Sequence, residues 1–540
     1  MDHGIHTDEF VDNYQKALSD PQLQRALRLA TDKFTAGRGH AVAAVGEEWQ
    51  DLRDRARQIK EHAVANLDKY LDEFSNNVER LGGKVFWARD AEEANQYITD
   101  LARQRGVKLA VKSKSMMTEE VELNRAFAAA GVEPVETDLG EYIVQLAGER
   151  PSHIIAPAIH KTRGQIADLF TDKLHVERTE EIEEMTAIAR KVLRDRFASA
   201  GMGVTGANFG IAETGTIVLV ENEGNIRLTT SLPRVHVALM GIEKVIPRLQ
   251  DLTTLLRLLP RSASGQKMSS YVSFISGVKS RPDEEGPEEL HVVILDNGRM
   301  DILANPKLRE SLYCVRCGAC LNVCPVYQRI GGHAYGWIYP GPIGSVLTPQ
   351  LVGRERAEGL PFASSLCGAC RDVCPIKINI PDMLLELRHE IKEGPVKLVN
   401  IESYKPEASA NPSPAGHNSQ TGNGPNPLRR LSKWLTHTLE HIGFRVWAAG
   451  MRTPERYNRA ARLGRLVSQG LGDSERGLPV AAWTNTRNLP QLAQRSFRDL
   501  WPELSAAAAP GSSKKDQSSV SAGMKSETSR AGYGETDSSQ

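Results

Sequence analysis

Seven cysteines, all between residues 314 and 374, are the residues of this sequence whose type and spacing point to chemistry. The run SLYCVRCGACLNVCPVY spaces four of them as C-x2-C-x2-C-x3-C-P, and SSLCGACRDVCPIKI repeats the ending with three. Disulfide scaffolds distribute cysteines through small secreted domains, whereas clustered thiols in a long chain favour soft metal ligation. We therefore interpret both runs as ligands of iron–sulfur clusters.

The two runs predict two clusters that exchange ligands. A thiolate at every third residue lets the chain wrap one corner of a cubane, and the cysteine before proline binds the other cluster of the pair. Proline also turns the chain away and has no N–H group to leave unpaired. The first cluster is predicted to bind Cys314, Cys317, Cys320 and Cys374, and the second Cys324, Cys367 and Cys370.

The second cluster lacks one cysteine. Alignment of the second run backwards from Cys374 leaves Ser364 where the first cysteine would stand. The serine oxygen, water, a partner's side chain or substrate could complete the site, or the iron there could be absent. The expected cofactors are thus two [4Fe-4S] clusters, the second with a non-cysteine ligand or as [3Fe-4S]. Zinc is the competing interpretation, but zinc sites use two pairs of ligands rather than such a dense run.

Between the runs lies GGHAYGWIYPGPIG, which its glycines and prolines predict to be an ordered irregular loop. Its Tyr335, Trp337 and Tyr339 are large enough to shield a cluster from water, which tunes the reduction potential, or they simply pack the domain. His333 is a lone histidine, a kind of residue that is more often structural than a ligand.

The elements that must position these residues are those of an α/β protein. An amphipathic helix ends at Gly82 and Gly83, and from KVFWA onward short strands alternate with helices, including a strand at HIIAP. This alternation predicts βαβ units and a largely parallel sheet. The cysteine region is predicted to be helical and ferredoxin-like. The expected segments are an N-terminal helical segment (1–82), the α/β domain (83–300), the iron–sulfur domain (301–400), a flexible linker (401–427), a basic helical extension (428–504) and a disordered tail (505–540).

Composition sets the remaining limits. Lysine plus arginine (67) equal aspartate plus glutamate (67), so no global charge favours nucleic acid. The N-terminus has no secretory signal pattern, and no stretch approaches the ~20 apolar residues of a membrane span. We expect a cytoplasmic protein that reaches a membrane only through partners. The basic helix LRRLSKWLTHTLEHIGFRVWAAG either docks on the protein itself or contacts a partner or membrane surface.

The cysteine runs, their intervening loop and GANFGIAETGTIVLVENEGN together resemble lactate-utilisation protein B, the iron–sulfur subunit of a bacterial three-protein L-lactate oxidation system. The resemblance covers roughly residues 10–500. It implies an α/β domain of the sugar-isomerase and CoA-transferase type, and a role as electron carrier in oxidation of L-lactate to pyruvate. The implied partners are a cysteine-rich redox subunit and a smaller protein that shares the α/β domain. The family's ligand set also has seven cysteines.

The α/β domain offers weaker candidates. Glu213 in GIAETGTIVL is expected at the ligand-binding edge of the sheet, as nucleophile or base, or else as a cap of the turn. Lys112 to Ser115 in KSKSM form either an anion site or a helix cap, and His160 with Lys161 follows a predicted strand. No G-x-G-x-x-G follows a strand, so hydride chemistry is not expected in this chain.

Two functional hypotheses follow. The first is an electron-transfer subunit of an L-lactate-oxidising complex, with the α/β domain as scaffold. The second is an enzyme acting directly on a small hydroxy acid or ketoacid through an open cluster iron or through Glu213. Whether the chain is itself an enzyme is left open by the sequence.

Overall fold

The structure, a computed structural model, describes residues 4–281, 283–393, 442–470, 495 and 497–507. Residues 1–404 and 405–540 form two separate compact units. The predicted linker (401–427) and all but the first three residues of the predicted tail lie outside the described residues. Among the described residues, no helix combines the length and apolar character that crossing a bilayer requires.

Four helices precede the first strand: α1 (Phe10–Leu18), α2 (Pro21–Ala43), α3 (Glu48–Ala65) and α4 (Leu67–Arg80). The amphipathic pattern that ends at Gly82 is α4, whose Leu71, Phe74 and Val78 are buried against the first strand and the core. Gly82 follows with φ +85°, a left-handed conformation that ends the helix at low steric cost.

The α/β domain contains two sheets, and its predicted fold class is confirmed. Its strands are β1 (Lys84–Ala88), β2 (Leu109–Lys112), β3 (Glu133–Glu136), β4 (Met202–Thr205), β5 (Phe209–Ile211), β6 (Thr216–Glu221), β7 (Val235–Gly241), β8 (Val245–Ile246), β9 (Tyr271–Ile275) and β10 (Glu289–Leu295). Six of them form a wholly parallel sheet in the order β1-β10-β7-β4-β2-β3. The second sheet has the order β8-β5-β6-β9 and contains the antiparallel pairs β5–β6 and β6–β9.

Helices cover the parallel sheet, as its apolar central strands require. The helices of this domain are α5 (Ala91–Gln104), α6 (Met116–Glu120), α7 (Leu123–Ala129), α8 (Leu139–Ala147), α9 (Arg163–Leu174), α10 (Ile182–Ser199), α11 (Asn225–Ser231), α12 (Leu249–Ala263) and α13 (Arg299–Ala304). Residues 116–129 form two helices rather than one, because Glu122 adopts φ +53° between α6 and α7.

The strand predicted at HIIAP is wrong. These residues form an irregular segment, and their apolar character has another cause: the segment is buried against the cysteine region. The Tyr327 hydroxyl donates to the Ser152 carbonyl at 2.7 Å, and His153 hydrogen-bonds Asn322 at 3.2 Å.

The cysteine region is helical, as expected, but its helices are short. They are α14 (Ala319–Asn322), α15 (Tyr327–Ile330), α16 (Gly341–Val352), α17 (Ala369–Val373) and α18 (Ile380–Glu393), with 3-10 turns at Arg309–Tyr313, His333–Tyr335 and Leu360–Phe362. In the second unit residues 442–451 are helical, followed by α19 (Pro454–Gly470) and α20 (Phe497–Ala507). The first part of the predicted basic helix lies outside the described residues.

Candidate iron–sulfur centre

Four of the cysteines line one enclosed apolar cavity. These are the four assigned to the first cluster: Cys314, Cys317, Cys320 and Cys374. Burial, together with the neighbouring thiols, raises the pKa of Cys317 to about 12 and that of Cys374 to about 11. An iron cation reverses this effect because it stabilises the thiolate. The cavity therefore offers four sulfur ligands in an apolar and largely buried setting.

The other three cysteines form a second group beside the first. Burial is the main cause that raises the pKa of Cys370 to about 12, and the nearby Cys324 contributes. The pKa of Cys324 is raised by burial and also by Cys367. Cys370 also helps to raise the pKa of Cys320, so the second group of cysteines lies next to the first. Cys367 is exposed, and the N–H of Ala369 and the Ser365 hydroxyl lower its pKa. The second group thus reaches the protein surface.

The two runs repeat in backbone conformation as well as in sequence. Arg316 and Leu366, each just before a cysteine, adopt φ +59° and +54°. The Arg316 N–H donates to Cys314 Sγ at 3.4 Å, and the Leu366 N–H donates to Ser364 Oγ at 3.1 Å. Ser364 therefore takes the place in the second run that Cys314 takes in the first.

Three arginines of the N-terminal helices hold the second run, a contact that the sequence did not reveal. Arg38 of α2 and Arg53 and Arg57 of α3 donate to main-chain carbonyls between residues 371 and 377. Arg53 Nε reaches the carbonyl of Cys374 itself at 2.9 Å. The only sequence signal is the four-residue spacing of Arg53 and Arg57, which puts them on one face of a helix.

Of the three aromatic residues of the intervening loop, Tyr335 is the one beside the cysteines. It is fully buried, and its hydroxyl has no hydrogen-bond partner among the described residues. Burial raises its pKa, and Cys324, Tyr327 and Cys320 raise it further. Trp337 and Tyr339 instead pack edge-to-face on each other, with ring centroids 5.4 Å apart.

A buried ionic network joins the α/β domain to the first cysteine run. Arg299 binds both carboxylate oxygens of Glu120 at 2.8 Å and Glu243 at 2.8 Å. The Tyr339 hydroxyl donates to Glu120 at 2.6 Å and its ring carries the Arg316 guanidinium, 4.8 Å from the centroid. Arg316 in turn lies 3.6 Å from Glu243. Although burial raises the pKa of Glu243, Arg299 and the neighbouring cations outweigh it and hold the value at about 2.

Comparison with known proteins assigns both domains. The family described as LUD domain matches residues 71–295, the 4Fe-4S dicluster domain matches residues 310–378, and the family "Lactate utilisation protein B, C-terminal" matches residues 416–505. The chain is 41% identical over 496 residues to "Lactate utilization protein B" of Shouchella clausii, across 91% of this chain and 96% of that protein. The chain belongs to the lactate utilization protein B family. "Lactate utilization protein B" of Bacillus pumilus is also 41% identical, over 511 residues.

The resemblance to lactate utilization protein B inferred from the motifs is therefore confirmed, and so is the presence of an iron–sulfur domain. The dicluster match includes all seven cysteines. A DUF162 family protein from Deinococcus radiodurans, of known crystal structure, is 12% identical and covers 43% of this chain, with a TM-score of 0.24.

The residues around the cysteines fit clusters of this type. Tyr335 Oη is a buried donor without a hydrogen-bond partner among the described residues, and cluster sulfurs are hydrogen-bond acceptors. In the described part of the chain, no three cysteine, histidine or carboxylate side chains converge closely enough for one metal ion. A cubane needs no such convergence, because each thiolate binds a different iron.

The candidates in the α/β domain of this lactate utilization protein B homologue have structural roles. The expected position of Glu213 at the edge of the parallel sheet is wrong: it lies in the β5–β6 turn, exposed, and accepts the Leu249 N–H at 3.0 Å at the start of α12. Lys112 is fully buried and donates to Glu136 at 2.6 Å, which removes it from any anion site. Ser115 caps α6.

The prediction that His160 and Lys161 follow a strand is also wrong. Both follow the irregular HIIAP segment and bind Glu149, each at 2.6 Å. His333 is exposed and hydrogen-bonds the main-chain carbonyl of Arg150 at 2.6 Å, a structural contact.

Proposed function

We propose that the chain relays electrons through two iron–sulfur clusters during oxidation of L-lactate to pyruvate. The observation that carries this proposal is the arrangement of the cysteines in two adjoining groups, one enclosed and one open to the surface at Cys367. Clusters exchange single electrons, and two neighbouring clusters provide a path between a buried and an exposed position.

In this proposal the first cluster is a [4Fe-4S] cluster held by the four cysteines of the enclosed cavity. The second is held by Cys324, Cys367 and Cys370, and Ser364 is its fourth ligand. The equivalent N–H contacts to Cys314 and Ser364 support that assignment. A [3Fe-4S] cluster at the second site is the alternative if the serine oxygen does not bind iron.

The partners we propose are those of the family: a cysteine-rich redox subunit and a smaller protein sharing the α/β domain. The surface around Cys367 suits such a contact, since the cluster there is close to solvent. The same domain also exposes two apolar side chains, Phe362 at 45% and Leu385 at 50% exposure. We place the complex in the cytoplasm, with any membrane contact made by the partners.

The clusters are tested by purifying the full chain anaerobically, measuring iron and sulfide, and recording low-temperature EPR spectra of oxidised and reduced protein. Roughly eight irons per chain and two reduced cubane signals are expected. Near-zero sulfide with stoichiometric zinc would overturn the electron-transfer proposal.

The relay is tested by lactate-dependent reduction of a dye. We expect reduction only when the partner subunits are added. Reduction by the purified chain alone would support the alternative, an enzyme acting directly on a hydroxy acid.

A further inference from the structure

A cavity of about 390 Å³ lies where the α/β domain meets the first cysteine run. Its wall includes Lys114 and Lys244 from the α/β domain and Val315 and Arg316 from the loop between Cys314 and Cys317. None of these four residues is a proposed cluster ligand, so the cavity is distinct from the sites of the clusters.

One part of this cavity carries two cations, Lys244 and Arg316, that share one nearby carboxylate, Glu243, which already binds Arg299. Lys244 is 7% exposed and forms no side-chain hydrogen bond or ion pair with any residue that the structure describes. Arg316 Nη1 is buried and has no hydrogen-bond partner among the described residues, while Nη2 of the same side chain lies 3.6 Å from Glu243. Buried donors are normally paired, so these two groups point to an anionic ligand.

Three carboxylates on the cavity wall already accept hydrogen bonds from main-chain N–H groups. Asp138 accepts the N–H of Glu141, Glu221 accepts that of Ile226 at 2.8 Å, and Glu223 accepts that of Leu139 at 3.0 Å. The charges of Asp138 and Glu223 act on Lys114, and the three carboxylates together disfavour a ligand with several negative charges. The wall also includes the apolar side chains of Ile154, Leu219 and Leu259.

These features define a ligand class. The volume is in the range of organic-ligand pockets and is larger than a three-carbon acid needs. A guanidinium group matches the geometry of a carboxylate. We propose that the cavity binds a monocarboxylate with an apolar body, its carboxylate held by Lys244 and Arg316.

Occupancy of this site is coupled to the first cluster, a consequence that rests on the proposed function. Arg316 lies between two proposed ligands of that cluster, and its N–H donates to Cys314 Sγ. A bound anion adds negative charge nearby, so it makes reduction of the cluster less favourable. By linkage, reduction weakens binding of the anion by the same factor.

Binding is tested on the full chain with its clusters, by anaerobic calorimetry with acetate, hexanoate, phenylacetate and inorganic phosphate. We expect saturable binding of hexanoate or phenylacetate, at least about tenfold tighter than that of acetate, because each buried methylene adds affinity. No saturable binding of any of these carboxylates would overturn the proposal. Tighter binding of phosphate would overturn the carboxylate class.

Two variants locate the site. Lys244→Met should weaken binding at least about tenfold, since it removes a charge-assisted hydrogen bond, whereas Lys108→Met, at an exposed lysine before β2, should not. Ala263→Trp should abolish binding by filling the cavity, whose wall includes Ala263. If Lys244→Met does not fold, Ala263→Trp decides, and wild-type affinity in it would overturn the proposal.

The coupling has its own readout. An EPR-monitored redox titration should give a more negative potential for the first cluster in saturating hexanoate, and an unchanged potential would refute the coupling. Calorimetry reports binding whether or not the chain supports lactate oxidation. Failure of the proposed function therefore remains distinguishable from failure of this site.

Discussion

Replacement of Tyr335 by phenylalanine should lower the reduction potential of a cluster. The side chain is fully buried, close to Cys320 and Cys324, and its hydroxyl has no partner among the described residues. A cluster sulfur is the acceptor that this donor lacks. Because reduction adds one negative charge to the cluster, a hydrogen bond to it becomes stronger in the reduced state.

The expected magnitude follows from the strength of such bonds. Hydrogen bonds to charged groups contribute about 1.5–3 kcal/mol net, and we take about 1 kcal/mol as the part that changes on one-electron reduction. For one electron, about 59 mV corresponds to a tenfold change in the equilibrium constant, or about 1.4 kcal/mol. Tyr335→Phe should therefore shift the potential by roughly −40 mV.

The assay is a redox titration followed by EPR, with Tyr327→Phe as the matched control. Tyr327 is also fully buried, but its hydroxyl already donates to the Ser152 carbonyl at 2.7 Å. The control should leave both potentials unchanged. A zero or positive shift in Tyr335→Phe, or an equal shift in the control, would refute the proposed hydrogen bond to the cluster.

Three further predictions concern other parts of the molecule. Ser364→Cys should retain roughly eight irons and resist oxidative loss of iron, whereas Ser364→Ala should give a three-iron EPR signal; identical spectra would exclude Ser364 as a ligand. Arg299→Met removes the cation that binds the buried carboxylates of both Glu120 and Glu243 and should lower the free energy of unfolding by about 3–5 kcal/mol in denaturant titrations, and a loss under about 1 kcal/mol would contradict this. Burial lowers the pKa of His236 to about 3, below its unfolded value of about 6.5, so the unfolded state binds the extra proton and stability falls as pH drops from about 6.5 towards 3. The difference in unfolding free energy between wild type and His236→Gln should change by up to about 1.4 kcal/mol per pH unit in that window, and a constant difference would contradict it.

What could be predicted from the sequence is what short-range pattern determines. The parallel sheet follows from alternating apolar strands and amphipathic helices, and the iron–sulfur domain follows from cysteine spacing within 61 residues, 314 to 374. The equivalence of Ser364 to Cys314 was also visible, because the two runs are repeats. The assignment of individual cysteines to clusters stays a prediction.

What could not be predicted depends on contacts between distant residues. Arg53 reaches the Cys374 carbonyl across more than 300 residues of sequence, and nothing local marks an arginine for that role. The prediction of a strand at HIIAP was wrong for the same reason, because a run of buried apolar residues gives the same sequence pattern in a strand and in a loop. Glu213 was misplaced because the sequence does not show that β5 and β6 leave the parallel sheet.

The cysteine domain and the α/β domain meet at the edge where open parallel sheets bind ligands. β2 leads to Lys114, β7 leads to Glu243 and Lys244, and β10 leads to Arg299, so all these groups follow carboxyl ends of parallel strands. Packing there leaves no room for a side chain at Gly241, where a Cβ would lie 2.1 Å from the Glu243 carboxylate and 2.7 Å from Arg299.

This geometry explains why a cavity lined by Lys244 and Arg316 lies beside a cysteine run. The edge of the sheet supplies the polar groups of a ligand site, and the loop that carries Arg316 covers it. A change in charge in the cavity alters the electrostatic potential at the first cluster, and the reverse also holds, because Glu243 and Arg316 lie 3.6 Å apart in a buried network. Gly241→Ala should therefore disturb both the cavity and the cluster potential, although residue 241 itself is no proposed ligand of either.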